Sequence, residues 1–190
     1  MYPILDTHRF ILASGSPRRQ ELIHAMGIPY EVRKVEVEET YPKELAHDHI
    51  AAYLAKKKAL ACSIKKNELV FTADTIVTLG NTVLGKPSSL KEAKGILKKL
   101  SNSEHQVFTG VCLHSIKKTL CFSDVTTIEF NQLTDTEIDY YLNACSPLDK
   151  AGSYGIQEWI GMIAIKQMNG SFYNVMGLPT HLLHQELLSF

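Results

Sequence analysis

Short apolar runs broken by turn residues, rather than one sustained period, organise this chain. Arg9-Phe10-Ile11-Leu12-Ala13 is a run of strand formers that stops at Ser14-Gly15-Ser16-Pro17, so a strand followed by a turn is predicted. Beyond it Leu22, Ile23 and Met26 recur at helical spacing over 18–26. Pro17 suits the first helical position, Ser16 the cap and Gly27 the stop. Alternation over 30–38 predicts a second strand. The stretch 45–62 predicts a helix, with Ile50, Leu54, Lys58 and Ala61 on neighbouring faces. Residues 70–73 predict a strand that ends at Asp74-Thr75. Ile76 to Leu79 and Thr82 to Leu84 then flank Gly80-Asn81, a hairpin signal whose second arm runs into Gly85-Lys86-Pro87.

The second half reads the same way. Ala93, Ile96, Leu97 and Leu100 form the apolar stripe of a lysine-rich helix over 90–100, and 106–116 with 118–130 predicts a long antiparallel pair. Thr134 followed by Glu137 is a capping-box pattern opening a helix over 135–143. A Gly-rich loop spans 150–161, a strand is predicted over 162–167, a turn at Asn169-Gly170, and a last helix over 179–188. Strands and helices mix without a strict alternation, so pattern alone gives α/β or α+β with a mixed sheet. The chain has 190 residues and no repeat or linker. At roughly 150 residues per domain this predicts one domain over 1–190, or two closely joined lobes.

Composition narrows the function classes. Acidic and basic residues balance to a net charge of zero, so no overall field draws polyanions or anionic membranes, and an extended nucleic-acid polymer is not the expected partner. Cys62, Cys112, Cys121 and Cys145 stand far apart in sequence, with no C-x-x-C pair and no His at metal spacing. Buried thiols in a reducing compartment are expected. The first residues lack a basic segment followed by a long apolar one, and no run approaches ~18 apolar residues. A soluble cytoplasmic protein is therefore predicted, with no membrane partner.

Candidate chemistry concentrates in a few segments. Ser14-Gly15-Ser16-Pro17-Arg18-Arg19 joins a turn, a helix N-terminus with unpaired N–H groups, and two guanidinium groups. Each favours an anion such as phosphate, although a capped helix with two solvated arginines has the same spacing. Asp74 is expected at a strand end, where catalytic and metal-holding acids often project. By itself it also fits a turn aspartate. Glu38-Glu39 is a second acidic pair; if Glu39 and Asp74 converge, two carboxylates and phosphate oxygens would complete an oxygen shell for Mg²⁺. Most lysines of 56–58, 65–66 and 98–99 are expected on wet helix faces. Lys86, held between Gly85 and Pro87, and Lys150 stand apart from them as candidate substrate contacts. Lys150 opens Lys150-Ala151-Gly152-Ser153-Tyr154-Gly155-Ile156-Gln157, whose glycines suggest close backbone approach to a ligand and whose Gln157 amide suits a base edge. His105, His181 and His184 are expected to be ordinary surface or partly buried residues, and no G-x-S-x-G elbow supports a Ser-His-Asp hydrolase.

Taken together, these segments resemble the Maf-like nucleotide pyrophosphatases, in particular the branch acting on dTTP and UTP. The resemblance covers nearly the whole chain in order: Leu12-Ala13-Ser14-Gly15-Ser16-Pro17-Arg18-Arg19, Leu54-Ala55 with Lys58-Ala59, Ala73-Asp74-Thr75, Gly85-Lys86-Pro87, His105-Gln106-Val107 with Thr109-Gly110-Val111, 149–157, and Gly177-Leu178-Pro179. It implies a two-lobed α/β fold with an elongated mixed sheet flanked by helices, like that of inosine triphosphate pyrophosphatases. It also implies hydrolysis of a nucleoside triphosphate to the monophosphate and pyrophosphate with Mg²⁺ or Mn²⁺, and a homodimer. By this resemblance Asp74 is the catalytic acid/base, Ser14, Arg19, Lys58 and Lys86 contact the triphosphate, and Glu39 and Asp74 hold the metal. Arg18, Thr75 and Gln157 sort substrates. Two departures are small: Thr180 replaces a commoner aliphatic residue, and Trp159 stands where glycine is frequent.

Triphosphate hydrolysis builds negative charge on phosphate oxygens, so catalysis requires prearranged cations and an oriented water. Arg18, Arg19, Lys58, Lys86 and the metal would supply the charge. Asp74 would act as base, as metal ligand, or as both. The rival reading is a non-catalytic nucleotide-binding regulator of cell division; another is a pyrophosphatase with a different base preference.

Overall fold

The computed structural model describes residues 1–190. After a 3-10 turn at Pro3–Asp6 come β1 (Arg9–Leu12), α1 (Pro17–Ala25), β2 (Glu31–Val32), α2 (His47–Ala61), β3 (Glu68–Leu79) and β4 (Thr82–Leu84). The chain continues through α3 (Leu90–Leu100), β5 (Glu104–His114), β6 (Thr119–Phe130) and α4 (Asp135–Ala144). A 3-10 turn at Ala151–Ser153, α5 (Trp159–Ala164), β7 (Ile165–Asn169), α6 (Phe172–Met176) and α7 (Thr180–Ser189) complete it. The strands form one seven-stranded sheet in the order β2-β1-β3-β5-β6-β7, with β4 pairing β3 off that path. Pairs β1/β2 and β1/β3 are parallel, while β3/β4 and β6/β7 are antiparallel. The fold is therefore a mixed α/β sheet flanked by helices.

Two compact units share the chain. One comprises residues 1–74, 109–124 and 177–190; the other comprises 75–108 and 125–176. In the first, β1 sets Ile11 beside Val70 and Leu12 beside Phe71. Phe10 and Phe71 stack with ring centroids 5.5 Å apart. Phe10, Ile11 and Leu12 are all buried, as expected of a strand covered on both faces. Helix α2 buries Ile50, Ala51, Leu54, Ala55 and Ala59. Its small residues allow close approach: a Cβ on Gly110 of β5 would lie 2.1 Å from the Ala52 nitrogen.

In the second unit, α3 buries Ala93, Ile96, Leu97 and Leu100. It is linked to α4 by Lys94–Asp139 at 2.5 Å and Lys98–Asp135 at 2.7 Å. The capping box at Thr134 and Glu137 forms as expected. His105, Phe130 and Tyr154 meet edge to face, and the His105 Nε2–Tyr154 OH distance is 2.8 Å. No helix is long and apolar enough to cross a membrane.

Several sequence expectations need correction. The strand over 30–38 shrinks to Glu31–Val32, because its alternate positions are charged and Val32 stays exposed. The strand over 70–73 does not stop at Asp74: β3 runs on to Leu79, since ten of its twelve residues are buried and burial overrides the turn preference of Asp-Thr. The strand over 162–167 begins only at Ile165, because 159–164 form α5. There Gly161 packs so tightly that a Cβ would fall 1.9 Å from the Ile156 carbonyl oxygen. Ser16 occupies the cap position of α1, yet its side chain makes no cap bond; Ser14 Oγ accepts from the Ser16 N–H instead, at 3.3 Å. His105 is fully buried rather than partly so, and burial lowers its pKa to about 4. Cys112 and Cys121, distant in sequence, are neighbours in space, with sulfurs 2.8 Å apart.

Candidate active site

Asp74 is placed by the packing of β3 on α2. Two residues before it on the same strand face, Thr72 Oγ1 donates to the Ala55 carbonyl at 2.7 Å, wholly buried. Ala55 and Lys58 lie one turn apart on α2, so the same contact brings Lys58 to Asp74. Lys58 Nζ donates both to Asp74 Oδ1 and, at 2.7 Å, to Glu39 Oε1. Its neighbour Lys57 fixes the loop that carries Glu39, donating to the Glu38 carbonyl at 2.7 Å and to Thr40 Oγ1 at 3.0 Å. Lys57 is thus a loop clamp rather than a wet surface lysine, and adjacency to Lys58 was its only sequence signal.

Arg19 joins the same group from the first turns of α1. Its Nε donates to the Gly177 carbonyl at 2.8 Å and its Nη1 to Ser14 Oγ at 3.4 Å. Burial lowers the guanidinium pKa, Asp74 opposes that by favouring the charge, Arg18 adds to the lowering, and Glu39 again favours the charge. Ser14, Arg18, Arg19, Glu39, Lys58 and Asp74 therefore form one electrostatic cluster in the first unit. Gly177, part of the Gly177-Leu178-Pro179 motif, serves through its carbonyl as the anchor of Arg19.

The remaining candidates belong to the second unit. Thr75 follows Asp74 directly in β3, so its side chain points to the opposite face of the strand. Two positions on, Val77 packs on Gly152, where a Cβ would lie 3.0 Å from a Val77 methyl. Gly152 N–H donates to the Gly85 carbonyl at 3.3 Å, joining the Gly85-Lys86-Pro87 turn to the 150–157 segment. Lys86 and Gln157 are both exposed. Lys150 is buried, with Nζ donating to the Ser146 carbonyl at 2.9 Å and to Asp149 at 3.0 Å, and paired with Glu158 Oε1 at 3.1 Å. Tyr141 OH donates to the other Glu158 oxygen and accepts from the Gly155 N–H at 3.1 Å. The glycines of this segment thus admit Val77 and Glu158 side chains, where a ligand was expected. Glu158 and Tyr141 had no sequence signal beyond adjacency to Gln157 and an apolar helix position.

Chemically, the first cluster offers two carboxylates, one ammonium between them, and a partly desolvated guanidinium beside a hydroxyl. That set can hold a polyphosphate and move a proton at a carboxylate oxygen.

The Maf-like protein family model matches residues 9–190. A dTTP/UTP pyrophosphatase of Phocaeicola vulgatus is 50% identical over 186 residues, covering 96% of each chain. One from Flavobacterium psychrophilum is 49% identical over 97% of this chain and 95% of its own. One from Porphyromonas gingivalis is 47% identical over 98% of this chain and 96% of its own. Among solved structures, the Staphylococcus aureus Ham1 protein aligns over 94% of this chain and 99% of that chain, with 18% identity and a TM-score of 0.49. A family model spanning almost every residue, and relatives near half identity over nearly their full lengths, place this chain in the Maf-like protein family.

Proposed function

We propose that the protein is a nucleoside triphosphate pyrophosphatase that hydrolyses dTTP and UTP to the monophosphate and pyrophosphate. The observation that carries this reading is Lys58 bonded to both Asp74 and Glu39, with Arg19 in electrostatic reach of the same two acids. The names of the relatives supply the substrates. A purely binding site gains little from carboxylates beside phosphates, whereas hydrolysis needs a proton acceptor among cations.

In this mechanism Arg19, Ser14 and the α1 N-terminus bind phosphate oxygens, with Arg18 and Lys86 adding charge. Asp74 takes the proton of the water that attacks the α-phosphorus, and the bond from that phosphorus to the bridging oxygen breaks. Lys58 keeps Asp74 oriented and moves toward phosphate as substrate enters. Glu39 and Asp74 would hold Mg²⁺ or Mn²⁺. Two carboxylates converging on one cation fit an ion that takes one or two protein carboxylates plus phosphate oxygens, and no larger group of His, Cys, Asp and Glu is present. When bound, such an ion lowers the pKa of water and neutralises phosphate charge. Thr75 and Gln157 would sort bases, with Glu158, Tyr141 and Lys150 fixing the backbone beside Gln157. A cytoplasmic homodimer belongs to the same reading.

The test is pyrophosphate release from UTP, dTTP, CTP, GTP and ATP with Mg²⁺, for the unaltered chain and for Gln157→Ala. The expected result is a preference of at least about tenfold for UTP and dTTP that narrows in the variant while triphosphate affinity persists. No release from any nucleotide would return the binding-protein reading, and equal rates would remove the pyrimidine assignment.

A further inference from the structure

The β5–β6 hairpin carries two cysteines that the hydrolytic chemistry does not use. The Ser115 N–H donates to the Lys118 carbonyl at 2.8 Å, closing the hairpin over Ile116-Lys117. This register sets His114 opposite Thr119, and indeed His114 Nδ1 lies 2.7 Å from Thr119 Oγ1. Two steps further along, it sets Cys112 opposite Cys121. Counting alternation back from the hydrogen-bonded Ser115/Lys118 pair makes 112/121 a non-hydrogen-bonded pair, where Cα atoms lie about 4.5 Å apart and side chains are nearest. That spacing falls within the range a disulfide spans. The sulfurs are 2.8 Å apart.

We propose that Cys112 and Cys121 form a reversible dithiol–disulfide couple, a modification site whose reactant is a peroxide. Their surroundings divide the roles. Cys112 is fully buried against Ala55 and Ala59 of α2, whereas Cys121 is half-buried at the edge of that cluster. The contact between the two sulfurs and, more weakly, the Lys56 ammonium lower the Cys121 pKa, whereas that contact and burial raise the Cys112 pKa.

Cys121 is then the attacking sulfur. Its thiolate takes one peroxide oxygen as the O–O bond breaks, giving a sulfenic acid, and the departing hydroxide leaves as water after gaining a proton. Cys112 attacks the Cys121 sulfur, loses its proton, and displaces the second oxygen as water. Overall, two thiols and one hydrogen peroxide give one disulfide and two waters. A thiol reductant reverses the change by exchange.

The experiment treats the full chain with hydrogen peroxide, alkylates what remains reduced, and maps peptides by mass spectrometry, with circular dichroism confirming that each variant is folded. The expected result is loss of alkylation at Cys112 and Cys121 only, a linked peptide pair, and full recovery with dithiothreitol. Cys112→Ser should trap a dimedone-reactive sulfenic acid on Cys121, whereas Cys121→Ser should give none on Cys112. Oxidation of Cys62 or Cys145 at lower peroxide, or a sulfenic acid on Cys112 instead, would overturn the proposal. So would four thiols that remain equally alkylatable. None of these readouts depends on nucleotide hydrolysis, so the couple and the proposed activity fail separately.

Discussion

Asp74 faces Lys58 because a buried hydroxyl–carbonyl bond, Thr72 to Ala55, sets the height of β3 against α2. Replacing its carboxylate with an amide of the same shape keeps that contact while removing the proton acceptor. Asp74→Asn is therefore expected to fold normally and to lower turnover on UTP by at least ~100-fold. Circular dichroism with a pyrophosphate assay checks both halves, and near-normal turnover would take Asp74 out of the mechanism. At this scale the sequence was informative where a residue type is itself the chemistry, as with Asp74 or Arg19. It was mute where a common residue acts through position. Lys57 resembles any helix-face lysine until its Nζ is seen on the Glu38 carbonyl, and Glu158 resembles any loop acid until Tyr141 and Lys150 are seen to hold it.

Elements were legible where local chemistry and burial agree. The helix Leu90–Leu100 has its apolar stripe and its Ser89 cap, and the helix after Thr134 has a complete capping box. They were illegible where burial overrides local preference, as in β3 through Asp74-Thr75, or where an alternating pattern is only half-buried, as at 30–38, where Val35 packs on the Ile11–Val70 cluster without extending the strand. Two glycines separate these cases by experiment. Gly110 lies on β5 directly under α2, and a methyl there meets backbone that cannot rotate away. Gly110→Ala should destabilise by about 3 kcal/mol or more, lowering Tm by roughly 10 °C for a chain of this size. Gly95 is exposed in mid-helix with nothing near its would-be Cβ, so Gly95→Ala should stabilise by about 0.5–1 kcal/mol. Thermal melts decide the signs, and equal shifts would mean that the close β5–α2 approach does not limit the fold.

Across the whole molecule, two lobes are expected from the resemblance, but the boundaries of the two units escape sequence reasoning because 109–124 and 177–190 return to the N-terminal unit from far along the chain. Of the buried ionisable groups whose pKa departs from its unfolded value, one in each unit titrates in the acid range, and both contribute to the response to acid. In the second unit, burial holds His105 near pKa 4 against an ordinary 6.5. Between those values the unfolded chain binds the proton more readily than the folded one, so stability is complete above pH 6.5 and falls until about pH 4. The shift corresponds to about 3 kcal/mol. In the first unit, Glu68 is enclosed by Arg33, which donates to both of its oxygens, and by Arg9 at 3.0 Å. The Arg33 bonds, chief among several causes, bring its pKa from 4.5 down to about 2. Its contribution is therefore present above pH 4.5 and is lost as pH falls to about 2. Urea midpoints followed by circular dichroism at constant ionic strength should decline in two overlapping steps from pH 7 to 2. His105→Gln should flatten the upper step and leave the lower, while Glu68→Gln should do the reverse after an overall loss from unpaired arginines. If both variants keep the slopes of the unaltered chain, neither buried group governs its acid unfolding.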